Sequence, residues 1–165
     1  MIRRPLLAFC LLLAACVGCD HASKQAAASL LADLPPLALA GDAVRFELVS
    51  NPGAFMSLGA GLPETLRHVL LLGVVPVVIA LVCLAFARAA RSSRVLLVGL
   101  AFLAGGGFGN WLDRLLNGGA VTDFVSIGLG PLRTGIFNLA DVAVIAGVCL
   151  VVLSTRDSAE EAPVG

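Results

Sequence analysis

Residues 95–115 read VLLVGLAFLAGGGFGNWLDRL, with no charge from Val95 to Leu112 and then Asp113 and Arg114 side by side. A helix needs about 20 mostly apolar residues to cross the hydrocarbon core of a bilayer. A soluble helix of this length would show a polar face, and this one shows none. The stretch therefore reads as a membrane span that ends on charged groups. Within it Gly105 and Gly109 form a small-xxx-small face, which lets a second helix approach closely. The glycines do not form a dinucleotide-binding loop, because they follow a span instead of a strand and lack the required spacing.

Outward from this run the chain repeats the pattern. Val69 to Ala87 is uncharged, and Phe137 to Thr155 is interrupted only by Asp141. Pro5 to Cys19 is shorter, but Ala22 to Ala32 favours helix and extends it. Four spans are expected. Gly73 and Pro76 in the second suggest a kink, which a membrane helix tolerates when a neighbour satisfies the freed carbonyl.

Composition agrees. Of 165 residues 59% are hydrophobic and 13% charged, and the mean hydropathy is +0.99; an ordinary soluble domain carries roughly 25% charged residues. Eleven basic residues balance eleven acidic ones, so no global field attracts nucleic acid. The five cysteines, Cys10, Cys16, Cys19, Cys83 and Cys149, lie in apolar runs and read as small apolar residues. Cys16-x-x-Cys19 has no second pair, and no His-Glu-x-x-His occurs, so no metal or other cofactor is expected. Ser57, His21 and His68 lack a hydrolase triad context.

Basic residues stay on the cytoplasmic side of short loops. Arg3 and Arg4 precede the first span, Arg88, Arg91 and Arg94 lie between the second and third, and Arg156 follows the fourth. Both termini are then cytoplasmic, and the connections 33–68 and 113–136 are outer. Residues 1–156 are expected to form one domain, with an acidic, disordered tail at 157–165. In the first connection Val44, Phe46 and Leu48 alternate with Arg45, Glu47 and Val49, the period of a half-buried strand, before Asn51-Pro52-Gly53 turns the chain. Ala120 to Ile127 alternates more briefly between glycine pairs. The expected fold class is an all-α integral membrane protein with four transmembrane helices and a small extracytoplasmic β element.

The chemistry gathers at the outer boundary. Asp20 closes the first span, Asp113 the third, Asp123 follows in the loop, and Asp141 enters the fourth; ionisable groups at such depth are functional candidates. Each has a structural alternative. Asp20 and Lys24 are spaced i, i+4 for an ion pair, and Asp113 with Arg114 reads as a buried pair. Asn138 and Asp141 fit a capping box at the start of the last helix. Asp123 has no such account. Its loop lies on the same face as Asp141, so carboxylates from two elements can converge, as aspartyl peptidase chemistry requires.

These pieces resemble one family, the lipoprotein signal peptidases (signal peptidase II), over nearly the whole chain. Asp20-His-Ala-Ser-Lys24 is similar to its Asp-x-x-(Thr/Ser)-Lys motif, and Asn51-Pro-Gly-Ala-Phe55 to its Asn-x-Gly-Ala block. Gly106-Gly-Phe-Gly-Asn-Trp-Leu-Asp-Arg-Leu115 resembles Gly-x-x-Gly-Asn-x-x-Asp-Arg-Leu. Val121-Thr-Asp-Phe124 and Phe137-Asn-Leu-Ala-Asp141 resemble the blocks that carry the catalytic aspartates. One departure is that Phe55 follows Ala54 directly, where the family usually has another small residue. The resemblance implies that Asp123 and Asp141 are the catalytic pair of a metal-free aspartic endopeptidase. It implies that Asp20, Lys24, Asn51, Gly106, Asn110, Asp113, Arg114, Asn138 and Ala140 surround or support the site. The implied substrates are diacylglyceryl-modified prolipoproteins, cut on the amino side of the lipidated cysteine at the outer face of the bacterial inner membrane. The implied partners are these substrates and membrane lipids, with the chain a monomer.

Two other readings stand beside this one. Leu13-Ala14-Ala15-Cys16 reads as a lipobox after Arg3-Arg4, which would make the chain a lipoprotein substrate. A transporter or scaffold of the same fold would tolerate loss of both aspartates. The outer segment Gly41 to Pro63, with Phe55, Met56 and Leu58 apolar and Gly53, Gly59 and Gly61 as hinges, is expected to close over substrate as a lid, or else to lie on lipid as a rigid shelf.

Overall fold

The computed structural model describes residues 3–54, 58–89 and 93–160. Long apolar runs become helices because in lipid a helix satisfies its backbone polar groups internally. Helix α1 spans Arg3–Leu31, so Pro5 to Cys19 and the stretch from Ala22 to Leu31 are one continuous helix, which stops one residue short of Ala32. Helix α2 (Glu64–His68) passes through a π-helical stretch, Val69–Val74, into α3 (Val75–Ala89). Helix α4 covers Arg94–Leu116 and α5 Leu139–Glu160. Helix α5 continues into the stretch expected to be a disordered tail; residues 161–165 lie outside the described part. Among the described residues three helices are long and apolar enough to cross a membrane, Arg4–Leu31, Glu64–Arg88 and Arg94–Leu116, while the apolar part of α5, Leu139–Ser154, is shorter.

Where Gly73 and Pro76 suggested a kink, the helix is π-helical over Val69–Val74, just ahead of the proline. Proline cannot donate to the carbonyl four residues back, which is that of Leu72. The indole Nε1 of Trp111 on α4 donates to that oxygen at 3.1 Å.

Successive helix residues point about 100° apart, so the run Gly105-Gly106-Gly107 faces three directions. A Cβ on Gly105 would lie 2.7 Å from the Cβ of Cys16 on α1, one on Gly106 would overlap the Ala140 carbonyl oxygen at α5, and one on Gly107 would lie 3.3 Å from Ile79 on α3. Helix α4 is thus the hub, and the glycines set how near its neighbours come. Cys16 sits in the middle of α1 against this hub, a packing role that the lipobox reading does not need.

The α1–α2 and α4–α5 connections fold together. Strands β1 (Leu37–Leu39), β2 (Val44–Asn51), β3 (Val121–Leu129) and β4 (Leu132–Arg133) form one antiparallel sheet in that order. Two strands pair across more than 70 residues of chain, so this sheet ties the α1–α2 connection to the α4–α5 connection. Its far edge is held by Asp42, whose Oδ2 meets Arg45 at 2.7 Å and Arg133 at 3.1 Å.

The expected alternation in β2 holds only as far as Phe46. Phe46 faces Val125 but Val49 faces Asp123, so three steps on β2 match two on β3. That extra residue is a β-bulge. Strict alternation would put Asn51 on the face of Arg45 and Glu47. The bulge moves it to the face of Phe46, diagonal to Asp123, where a side chain can reach across the strands.

Candidate active site

The site forms where the C-terminal ends of α1 and α4 and the N-terminal end of α5 meet the middle of the sheet. Asn138 caps α5: its Oδ1 accepts from the Asp141 backbone N–H at 3.0 Å, and its own N–H donates to Asp141 Oδ2 at 3.3 Å. The capping box read from the i, i+3 spacing is therefore present. The same Asn138 also reaches β3, donating from Nδ2 to Asp123 Oδ1 at 2.6 Å. A single residue, 0% exposed, therefore touches both carboxylates.

Each aspartate has a second amide partner. Asn51 Nδ2 donates to Asp123 Oδ2 at 2.7 Å, and Asn110 Nδ2 donates to Asp141 Oδ1 at 2.8 Å. The amide of Asn110 has its direction set by Lys24, whose Nζ donates to Asn110 Oδ1 at 2.9 Å. Asn138 Nδ2 approaches the same oxygen at 3.0 Å. Burial pushes the Asp123 carboxyl up to about 6, with the charge of Asp141 adding to the rise, against the opposing hydrogen bonds from Asn51 and Asn138.

A second layer holds these amides. Lys24 pairs with Asp20 at 2.8 Å and with Asp113 at 3.3 Å, all three buried. The i, i+4 pair is as expected, but it lies inside the protein, where two carboxylates share one ammonium. Asp20 Oδ1 accepts the backbone N–H of Ala140 at 2.9 Å, an anion placed by α1 at the N-terminal end of α5. Gly109 leaves room for it, since a Cβ there would sit 2.9 Å from Asp20 Oδ2. Gly106 and Ala140 let α4 and α5 close to backbone contact.

The expected Asp113–Arg114 pair does not form. Adjacent helix positions diverge. Asp113 accepts from Asn117 Nδ2 at 2.5 Å and from the Thr122 N–H at 2.7 Å, which anchors the start of β3. Arg114 turns the other way and donates to the carbonyls of Gly53 at 2.7 Å and Asn110 at 3.1 Å. Asn51 Oδ1 accepts the Gly53 N–H at 2.9 Å, so the Asn-Pro-Gly turn is closed from within and pinned by Arg114 from outside. Asn117 was not picked out from sequence; its i+4 spacing from Asp113 was the available signal.

As a lid, Gly41 to Pro63 divides in two. The strand part is hydrogen-bonded on both sides, to β1 and β3, and is fixed. Beyond the turn, Ala54 bridges Leu58, and Phe55, Met56 and Ser57 lie outside the described residues. No group of three or more His, Cys, Asp or Glu side chains suited to a metal ion occurs among the described residues.

Comparison with known proteins follows the same outline. A family model described as signal peptidase (SPase) II matches residues 12–156. A lipoprotein signal peptidase of Streptomyces griseus is 31% identical over 141 residues, covering 81% of this chain, which spans 65% of that relative's length. One of Desulforapulum autotrophicum is 30% identical over 152 residues, covering 92% of this chain and 93% of the relative. A solved bacterial membrane enzyme, obtained by the in meso method at 2.3 Å resolution, superposes with a TM-score of 0.73 at 19% identity, over 96% of this chain and 93% of that one. That likeness is one of fold.

Proposed function

The chain belongs to the signal peptidase (SPase) II family, and we propose on that premise that it is a membrane aspartic endopeptidase removing signal peptides from diacylglyceryl-modified prolipoproteins. It is a bacterial membrane protein. The cut falls on the amino side of the lipidated cysteine, and Asp123 and Asp141 perform it. The observation that carries the assignment of residues is the contact of one buried asparagine, Asn138, with both carboxylates.

Two buried carboxyls bonded to the same asparagine share one proton in this reading, because ionising both costs too much. The ionised member takes a proton from water as it attacks the scissile carbonyl. The protonated member donates a hydrogen bond to the oxygen on which charge develops, then passes its proton to the leaving amine. Asn51, Asn110 and Asn138 hold the carboxylate oxygens in place, so that little reorganisation accompanies the step. Lys24 acts through Asn110, and Arg114 through the Asn51 turn.

Helix α5 serves as the fourth span, both termini are cytoplasmic, and the site lies at the outer face of the inner membrane, where the lipidated cysteine of a substrate is confined. A single domain over residues 1–156, working as a monomer, suffices for this chemistry. The test is cleavage of a lipidated precursor by the purified protein. Cleavage that is lost in Asp123→Asn and Asp141→Asn supports the reading; a lipidated precursor left intact by the parent protein overturns it. A reporter after Arg91 reads cytoplasmic and one at Gly119 extracytoplasmic if the orientation is right.

A further inference from the structure

At the opposite end of the bundle from the aspartates, α1, α3 and α4 enclose a cavity of about 370 Å³. This falls within the roughly 300–1,000 Å³ of small-molecule sites. Its walls are apolar: the rings of Phe9 and Phe86, 3.9 Å apart between centroids, lie at its side, with Ala8 and Ala101 among its lining. Arg4, at the start of α1, and Arg94, at the start of α4, line it as well. No lining residue is acidic. Among the described residues neither arginine forms an ion pair or a side-chain hydrogen bond, and both are exposed.

Arg4 and Arg94 thus put two positive charges on the lining of one apolar recess, with no acidic residue there to balance them. An anion that both can fork onto supplies that balance, and phosphate suits guanidinium geometry. A free phosphate would meet the arginines but has no use for the aromatic wall. A zwitterionic lipid would bring its own cation to a site already positive. We infer that this cavity seats one anionic phospholipid, its phosphate held by Arg4 and Arg94 and the start of an acyl chain laid against Phe9 and Phe86. In the orientation proposed above the lipid comes from the cytoplasmic leaflet, but the binding does not depend on that orientation. The site is remote from Asp123 and Asp141, and an occupant there would tie α1 to α3 and α4 at the end that the sheet does not reach.

The experiment is native mass spectrometry of the purified protein in nonionic detergent, titrated separately with phosphatidylglycerol, phosphatidylcholine and inorganic phosphate. One phosphatidylglycerol is expected to stay bound where phosphatidylcholine and phosphate do not. Arg4→Gln and Arg94→Gln should each weaken that adduct roughly tenfold, the value of one charge-assisted contact. Ala8→Trp fills the recess while keeping both arginines and should also remove the adduct, so the test stands even if the charge variants insert poorly. Equal retention of phosphatidylcholine, retention of phosphate alone, or an adduct unchanged in Ala8→Trp would overturn the inference. Cleavage of lipidated precursor by Ala8→Trp should remain at the parental rate, so a failed lipid site and a failed peptidase assignment give different results.

Discussion

Helices α1 and α4 meet at both ends, with different materials at each. At one end Phe9, Phe86, Leu100, Ala101 and Ala104 form a small apolar cluster. At the other, Asp20, Lys24, Asn110 and Asp113 form a continuous set of ion pairs and hydrogen bonds. Among the described residues ten buried side chains are polar or charged and eight hydrophobic, while Leu7, Leu11, Val77, Leu81 and Leu153 are exposed. This inverts the arrangement of a soluble domain. Lipid tails are as apolar as leucine, so burying a leucine between membrane helices gains little beyond close packing. A buried lysine with two carboxylates has no comparable alternative outside the protein. The polar end therefore specifies how the helices stand, and the apolar end accommodates that arrangement.

The largest effect expected is on chemistry at the polar end. Asp123→Asn and Asp141→Asn should each lower the cleavage rate about 10³-fold or more in single-turnover assays, the upper range for loss of acid–base catalysis. Both variants should remain folded by circular dichroism. The Asp123 substitution also changes the pH dependence of stability. The folded chain holds the Asp123 proton up to about 6 against 3.8 for an ordinary carboxyl, so the parent loses stability as pH rises through that interval. Thermal melts of Asp123→Asn should show a flatter profile there, and an unchanged slope would remove Asp123 from its buried setting.

Next comes a direct contest between the two ends. Lys24→Met leaves Asp20 and Asp113 buried without their cation and should cost about 3–5 kcal/mol. Leu100→Ala at the apolar cluster should cost about 1 kcal/mol, below the 2–5 kcal/mol of soluble cores, because lipid replaces much of what is lost. Unfolding in mixed micelles measures both, and the reverse ranking would break the comparison. Gly106→Val should fall between them, about 1–3 kcal/mol, since its side chain meets the Ala140 carbonyl.

A smaller effect sharpens the role of the amides. The acid limb of kcat/KM should lie near 6, the value to which burial raises Asp123. Asn51 favours the ionised form, so Asn51→Ala should move the limb upward by about half a unit to one unit. A downward move would contradict the hydrogen bond. The smallest effect is expected at the far edge of the sheet. Arg45 holds the Asp42 carboxyl below the usual range, yet the group is solvent-accessible, and Asp42→Asn should leave the unfolding midpoint close to the parent's.

What could be read in the chain alone was set by short-range spacing. The long apolar runs carry their own reason to be helices, and the Asp20–Lys24 pair and the Asn138–Asp141 cap each join residues within one helical turn. The strands were legible as segments, from Val44 and from Val121, because alternation is also local. Their register was not. The bulge after Phe46 decides that Asn51 shares a face with Asp123, and it depends on the hydrogen bonds of a strand more than 70 residues away. Arg114 was misread for the same reason: its sequence neighbour Asp113 looked like its partner, whereas the tertiary fold supplies the Gly53 carbonyl. Spacing along the chain thus determined the helices and the cap, because those depend on neighbours within a turn. Only the closing of the α1–α2 and α4–α5 connections into one sheet decided which amide faces which carboxylate, because a strand's register is chosen by the partner it pairs with.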